Sequence, residues 1–399
     1  MSNKMNQIYH LNREVVVWGN DNYNLLGVLR QLVPFGIDTF VVFNNSVKHC
    51  ASVSKYCKHY VVKNTSEAVD FLLSNYKDYS VKPILILTSD EMASIVDKNK
   101  DDFDSYFICS GTSKAGLLSE VLNKNTMANI AQKCGFLVPK HMLLTKETDI
   151  SSVKYPCFIK PTTSIKGVQN QSGICQRCND RDTVQTCMEM FANGDQYVLQ
   201  EFVDKEYEVL VIGVRLWNGE VYIPGVFSKN RWRNGNCGSG SYGILTSEIP
   251  QNIDIEPIEK MLSWIDYHGQ FSVEYGVVGD KAYFYEVNLR NDGTSDYFRQ
   301  AGANTNLVWV LNSCGRDVTN IAKPVQCNAM MIDEIEDYNN VKRGIVAKAI
   351  WKQQKREASI YVYYDKYDIF PFFMMKWKQW NISRLPKRVM RKIYKLLGI

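Results

Sequence analysis

Residues 271–290 read FSVEYGVVGDKAYFYEVNLR, and this segment decides the fold. Two runs rich in β-branched and aromatic residues flank Gly279-Asp280-Lys281, a pattern that predicts a β-hairpin. If these three residues form the loop, Glu274 lies directly opposite Glu286, because the two are then equidistant from it. A two-residue loop would instead place Glu274 opposite Tyr285.

Side chains alternate along a strand, so Asn288 and Arg290 share the face of Glu286, whereas Val287 and Leu289 point into a core. Two facing carboxylates repel each other unless a cation lies between them. Carboxylate and amide oxygens suit Mg²⁺, which also binds substrate phosphates. The hairpin therefore predicts a Mg²⁺ site, with Mn²⁺ as a substitute, and a surface hairpin with solvated acids is the alternative. A guanidinium at Arg290 is suited to phosphate or carboxylate oxygens.

Three apolar strands are predicted near the start of the chain, at residues 14–18, 37–43 and 84–88. A helix with apolar periodicity follows the first of them. Strands that alternate with helices predict a parallel sheet with both faces covered. Asp90 follows the third strand, at the edge where such sheets bind ligands, and is a candidate substrate contact. An ordinary acidic helix start is the alternative.

A strand predicted at residues 156–160 ends at Lys160 and runs into a polar loop that contains Lys166, an arrangement suited to phosphate contact. Glu201 and Glu208 lie in two further apolar strands, where charged side chains need partners. Glu201 could present a backbone edge to a purine, and Glu208 could accept from ribose hydroxyls. An exposed lysine and edge strands open to water are the alternatives.

Residues 222–247 are predicted to be a loop-rich insert, because SKNRWRNGNCGSGSYG is dense in glycine and polar residues. Its glycines formally match GxGxxG, but no predicted strand leads into the motif and no helix follows it. A mobile loop is therefore favoured over a dinucleotide site. Arg231 and Arg233 are candidates to close over an acidic substrate, and a solvated basic loop is the alternative.

Composition limits the classes of function. Eleven cysteines are scattered through the chain, and the CxxC at Cys175 and Cys178 lacks the second ligand pair of a zinc site. The sequence predicts neither a signal peptide nor a membrane span, so we expect a cytoplasmic protein with reduced thiols. The net charge is +5, and eight Lys or Arg without any acid follow residue 375, which leaves −3 on residues 1–375. This mildly acidic body argues against nucleic-acid binding.

The C-terminal residues 370–399 combine aromatic side chains with basic ones. Pro386 can open a helix whose apolar residues lie on one side, with Lys and Arg around the remainder. Basic amphipathic helices flanked by Trp commonly lie on anionic membrane surfaces. We expect peripheral contact with the inner face of a membrane, and docking on the protein's own body or on a partner is the alternative.

Five motifs in order carry a resemblance to a known family: LNKNTMANIAQKCGFLVP, YPCFIKP, VLQEFVDKEYEV, FSVEYG and YFYEVNLR. With them, residues 1–320 resemble the ATP-grasp superfamily of carboxylate–amine ligases, and among these the D-aspartate ligase-like enzymes of cell-envelope pathways. The resemblance implies an α/β fold with a Rossmann-like domain and two α+β subdomains. The expected boundaries are 1–112 for the Rossmann-like domain, 113–200 for the lid subdomain, 201–330 for the metal and nucleotide subdomain and 331–399 for a C-terminal extension.

The same resemblance implies a role for each candidate residue. Lys124 and Lys160 would contact phosphates, residues 162–173 with Lys166 would form a lid, and Arg290 would steady an acyl-phosphate. The lid holds only Gly167 and Gly173, which departs from the usual glycine-rich pattern. The adenine hinge would be Gln200, Glu201, Phe202 and Val203, and the ribose contact would be Glu208. The Mg²⁺ ligands would be Glu274, Glu286 and Asn288.

The implied chemistry is ATP-dependent joining of a small-molecule carboxylate to an amine through an acyl-phosphate. Such catalysis rests on placement and electrostatics, so it requires no Ser or Cys nucleophile. A non-catalytic ATP-binding protein and a small-molecule kinase that uses the same nucleotide site are the alternatives.

Overall fold

The computed structural model describes residues 7–44, 50–163, 173–233 and 238–379. The chain begins with a five-stranded sheet in the order β3-β2-β1-β4-β5, in which all neighbours are parallel. Its elements are β1 (Val15–Gly19), α1 (Tyr23–Leu32), β2 (Thr39–Asn44), β3 (Lys58–Val62), α2 (Thr65–Tyr76), β4 (Ile84–Leu87), α3 (Asp90–Lys98), α4 (Lys100–Tyr106) and β5 (Ile108–Cys109).

This sheet confirms the predicted Rossmann-like start. The central strands β1 and β4 are buried along their whole length, because helices cover both faces of a parallel sheet. Ser89 caps α3, and its side chain accepts from the Met92 amide.

A second, smaller sheet has the order β7-β10-β8-β9 and its own apolar core. It is reached through a short strand and two helices, and one further helix covers it. These elements are β6 (Gly111–Thr112), α5 (Leu117–Val121), α6 (Lys124–Cys134), β7 (His141–Leu144), β8 (Cys157–Pro161), β9 (Gln176–Cys178), α7 (Arg181–Glu189) and β10 (Tyr197–Glu201).

The third sheet has eight strands, seven of them in the order β15-β14-β11-β12-β13-β16-β17, with β6 paired to β14. Its strands are β11 (Tyr207–Arg215), β12 (Val221–Trp232), β13 (Gly240–Thr246), β14 (Tyr267–Val278), β15 (Lys281–Asn288), β16 (Ala329–Ile332) and β17 (Ile360–Tyr361). The helices of this region are α8 (Glu256–Trp264), α9 (Ser295–Gln300), α10 (Thr305–Ser313), α11 (Asp337–Lys342), α12 (Lys348–Glu357) and α13 (Phe370–Gln379).

The prediction of a loop-rich insert at 222–247 is wrong. β12 and β13 pair there as antiparallel strands, and the glycines serve packing instead of mobility. A Cβ atom at Gly243 would collide with the Ser228 carbonyl oxygen and the Phe227 ring. Glycine is therefore required inside this strand because a neighbouring ring lies over its backbone.

The boundary predicted at residue 330 falls inside β16. The segment that follows is tied to the body by a fully buried ion pair, in which Arg30 Nε lies 3.1 Å from Asp368 Oδ2. Two large apolar clusters join the first sheet to the third. Among the described residues, the helices are all too short or too polar to cross a bilayer.

Candidate active site

The predicted pairing of Glu274 with Glu286 is confirmed, but by a different route. Val278 pairs with Lys281, so the loop has two residues instead of three. A β-bulge at Tyr285 then restores the register, since Tyr275 faces Phe284 while Glu274 faces Glu286. Gly276 accommodates this bulge, because a Cβ there would collide with the Tyr285 ring.

A buried lysine lies between the acids of this sheet. Lys229 Nζ, on β12, is 2.8 Å from Glu274 Oε2 and 3.3 Å from Glu208 Oε2. Burial acts to lower the pKa of Lys229, but the two carboxylates outweigh it and raise that pKa overall. Burial raises the pKa of Glu274 to about 7, although Lys229 opposes the shift. The predicted repulsion between facing acids is thus relieved by a cation from a third strand.

Glu208 is held from two further directions. Lys205 Nζ lies 2.7 Å from its Oε1, and the indole Nε1–H of Trp232 donates to its Oε2 at 2.8 Å. The ring of Tyr285 lies beside Lys205. A charged residue in an apolar strand needs such partners, and here they orient the carboxylate along the cavity wall.

Two lysines lie near Glu286: Lys124, at the start of α6, and Lys160, on β8. Lys124 Nζ is 3.8 Å from Glu286 Oε2. Burial acts to raise the pKa of Glu286, but the charges of Lys124 and Lys160 outweigh it and lower that pKa. Burial and the nearby charge of Lys124 lower the pKa of Lys160 to about 8. This end of the cavity is therefore rich in cations and suited to phosphates.

Arg290 joins the first sheet to the third. Its guanidinium lies 3.1 Å from Asp90 and 3.1 Å from Asp292, and it donates to Asn288 Oδ1 at 2.9 Å. Burial acts to lower the pKa of Arg290, and the two aspartates raise it overall. Asp90 is thus brought to the site, as predicted, although it reaches there as a partner of Arg290.

These groups surround one cavity of about 900 Å³. Lys160, Glu208, Glu274, Glu286, Asn288 and Arg290 line it together with the predicted hinge Gln200, Glu201, Phe202 and Val203. The amides of Glu201 and Phe202 already donate to Lys140 and Pro156 carbonyls. Lys124 and Asp90 line an adjoining recess that shares Glu286 and Asn288. Lys166 and most of the predicted lid lie outside the described residues.

The structure does not bring Arg231 to the cavity, which corrects its predicted substrate role. Its guanidinium binds Asp337 at 2.7 Å, and Asp337 is fully buried. Arg233 is likewise paired, 2.8 Å from Asp333, and lies over the ring of Tyr23. Tyr23 lines the cavity, so Arg233 supports the wall from behind. Both arginines extend from the end of β12 toward the C-terminal segment and not toward the site.

Sequence reasoning missed Lys229, Lys205, Trp232 and Asp292, which also line the cavity. Lys229 and Trp232 were hidden because their strand reads as a loop. Asp292 follows the metal strand by only four residues, and its pKa is lowered by Arg290 against the effect of burial. The signal that could have found it is the acid at the end of EVNLRND.

The oxygen ligands that the hairpin offers limit which metal ion could bind there. Among the described residues no three His, Cys, Asp or Glu side chains converge to hold a metal. The set comprises two facing carboxylates and one amide oxygen, and Glu274 is already bound by Lys229. Such a set fits Mg²⁺, which takes much of its shell from phosphates and water. It does not fit a metal that requires a full set of protein ligands.

Comparison with known proteins agrees with this geometry. The family model described as the ATP-grasp domain matches residues 129–305. Over these residues the chain is similar to ATP-grasp domains. The second sheet, β7-β10-β8-β9, and the hairpin with Glu274 and Glu286 both lie within residues 129–305.

Two curated relatives of this chain are formate-dependent phosphoribosylglycinamide formyltransferases. The protein from Mannheimia succiniciproducens is 26% identical over 193 residues, 46% of this chain and 47% of the relative. That from Nitratiruptor sp. is 26% identical over 140 residues, 35% of each chain. The matched segment thus spans at most about half the length of these relatives.

Solved structures share the fold over most of the chain. N5-carboxyaminoimidazole synthetase from Staphylococcus aureus has a TM-score of 0.64 at 14% identity, covering 85% of this chain and 87% of its own. The L-amino acid ligase from Bacillus licheniformis has a TM-score of 0.59 at 14% identity, covering 80% of each chain. At this identity the likeness shows the fold alone.

Proposed function

We propose that this chain is an ATP-dependent ligase that joins a carboxylate to an amine. One observation carries the proposal: a single cavity is lined both by the segment 200–203 and by Lys160, Glu286 and Arg290. A nucleotide with its base at the hinge presents its phosphates to the cationic end. The fold shared with ligases supports the assignment.

The reaction takes place in two steps. A carboxylate oxygen attacks the γ-phosphorus, and the bond to ADP breaks. The amine then attacks the acyl carbon of the acyl-phosphate, phosphate leaves, and the nitrogen loses a proton. Lys124, Lys160 and Arg290 neutralise charge on the transferring phosphoryl group.

Glu286 and Asn288, with Glu274, would hold Mg²⁺, or Mn²⁺ in its place, which supplies further charge neutralisation at the β- and γ-phosphates. Glu208, which lines the cavity, would accept from ribose hydroxyls, and three donors hold its carboxylate in place. Phe158 and Leu210 add apolar surface for a purine.

The names of the relatives support a carboxylate substrate of small size, since they include a formate-dependent enzyme and an amino acid ligase. A role in cell-envelope or polysaccharide synthesis is a finer proposal. It rests on residues 291–296, NDGTSD, which resemble the segment after the metal strand in D-aspartate ligase-like enzymes. Of these residues, Asp292, Gly293 and Thr294 line the cavity.

The test incubates the protein with ATP, Mg²⁺ and pooled carboxylates and amines, and measures phosphate and amide products. A ligase releases phosphate only when a carboxylate is present. Glu286→Gln should abolish turnover, whereas Asp280→Asn, an exposed acid in the loop of the same hairpin, should not. Phosphate found stably on a substrate hydroxyl would establish a kinase instead. ATP binding without any turnover across the pools would support the non-catalytic alternative.

A further inference from the structure

Three aromatic side chains are exposed on one side of the C-terminal segment. Tyr367, Phe370 and Phe373 expose 60%, 62% and 56% of their surface. Phe370 and Phe373 are three residues apart on α13 and therefore lie along one face of it, and Tyr367 lies in the turn just before this helix. Together they form what we term the aromatic patch. A cluster of large exposed aromatic rings commonly marks an interaction site.

The helix that carries the aromatic patch is firmly packed on the body. Pro371 and Met374 are buried beneath it. Lys376 Nζ donates to the Glu334 carbonyl at 3.0 Å, and Gln379 donates to the Ile335 carbonyl at 2.6 Å. The helix that carries the exposed rings is thus fixed in place, because other residues of it are buried against the body or hydrogen-bonded to it.

Basic residues adjoin the aromatic patch in the chain. Lys366 is exposed and lies 4.8 Å from the centre of the Tyr367 ring. The neighbouring acids are neutralised, because Asp365 pairs with Arg299 and Asp368 pairs with Arg30. The twenty residues 380–399 contain six Lys or Arg and no acid. The segment that carries the aromatic patch is therefore followed in sequence by a strongly basic one.

We propose that the aromatic patch docks the protein onto an anionic lipid bilayer. Aromatic rings favour the headgroup level of a bilayer, and neighbouring lysines and arginines are attracted to anionic lipids. A second copy of this chain would bring the same positive charge to the interface and be repelled. The proposal stands apart from the ligase chemistry, since it uses none of the residues of the cavity.

The test measures sedimentation of the full chain with vesicles of phosphatidylcholine, alone or mixed with phosphatidylglycerol. We expect binding to the mixed vesicles and weakening of that binding at about 1 M salt, where charge is screened. The double variant Phe370→Ser/Phe373→Ser should bind at least about tenfold more weakly, because two apolar side chains no longer enter the interface. Trp264→Ser, which alters a ring that is 59% exposed at the end of α8, should bind like the wild type.

Circular dichroism melting of each variant checks that the fold is retained. Absence of binding to the mixed vesicles would overturn the proposal. Equal binding by the double variant would also overturn it and assign any attraction to residues 380–399 alone. If the wild type forms a dimer, the double variant is a monomer and the wild type does not bind vesicles, then a second copy of the chain occupies the aromatic patch instead.

Discussion

The ammonium of Lys229 lies 2.8 Å from Oε2 of Glu274. In the order of the sheet, the strands that carry Lys229 and Glu286 lie on opposite sides of β14, the strand that carries Glu274. The same ammonium reaches Glu208. A single cation from β12 therefore links Glu208 to one of the two facing acids of the hairpin. The cavity wall is neutralised before any ligand binds, so its acids can lie close together in a half-buried setting.

Removing this cation should destabilise the protein. In Lys229→Met the largely buried Glu274 loses its ion pair and Glu208 loses one of its three donors, which costs about 3–5 kcal/mol. Urea denaturation at neutral pH measures the loss. Adding Glu274→Gln to Lys229→Met should recover part of it, because the double variant removes one of the stranded charges. A single variant as stable as the wild type would contradict this account.

The hairpin shows what the sequence could and could not predict. Strand parity placed Glu286 and Asn288 on one face, because alternation is a local property of any strand. The facing pair Glu274 and Glu286 was predicted from a three-residue loop that does not form. The structure reaches the same pairing with a shorter loop and a bulge at Tyr285. A bulge depends on the neighbouring strand, and a single sequence carries little signal for it.

Nucleotide affinity should fall as the pH rises through the pKa of Lys160. Burial and Lys124 lower that pKa to about 8 from its ordinary value. Lys160 is therefore charged below pH 8 and largely neutral at pH 9, so a polyanion must restore the proton when it binds at higher pH. We expect affinity for a nonhydrolysable ATP analogue to drop about tenfold per unit above that pKa.

Calorimetric titration across this range, in two buffers of different ionisation enthalpy, would also detect the proton uptake. Lys160→Arg retains its charge throughout and should give a flat profile over the same range. A wild-type affinity that stays constant to pH 9 would show that the charge of Lys160 does not contribute to binding.

Replacing Arg231 should affect stability and leave substrate affinity unchanged. Its guanidinium binds the buried Asp337 and also donates to Gln354, so Arg231→Met leaves an unpaired buried charge at a cost of about 3–5 kcal/mol. Thermal unfolding reports the loss, and Asp337→Leu in the same chain should recover part of it. A raised KM with unchanged stability would restore the substrate role predicted from sequence.

The error over Arg231 and the omission of Lys229 have one physical cause. Gly240 and Gly243 sit in β13 because Phe227 packs over the neighbouring backbone, a requirement set by a partner strand. In the sequence the same glycines indicate a flexible loop. Once the segment is interpreted as a loop, alternation cannot be applied to it. The inward position of Lys229 and the distant partner of Arg231 are then both lost.

The amine substrate should carry no phosphate group. Three described helices begin beside the cavity or the adjoining recess, and side chains of the protein accept from amides at or just before each start. Asn22 accepts from the Asn24 and Leu25 amides of α1, Ser89 accepts from the Met92 amide of α3, and Asp292 accepts from the Thr294 amide, which directly precedes α9. Helix starts bind phosphate when their amides are free, and here an amide oxygen, a hydroxyl and a carboxylate already accept from amides at these positions.

Matched amines can test this in the phosphate-release assay: serine against O-phosphoserine, and glucosamine against glucosamine 6-phosphate. Within whichever pair is accepted, the member without phosphate should have a kcat/KM at least about tenfold higher, because a buried dianion without donors is costly. The phosphorylated member should also fail to compete when added in excess. Preference for it would mean that donors outside the described residues bind the phosphate, and the capped helix starts would not govern specificity.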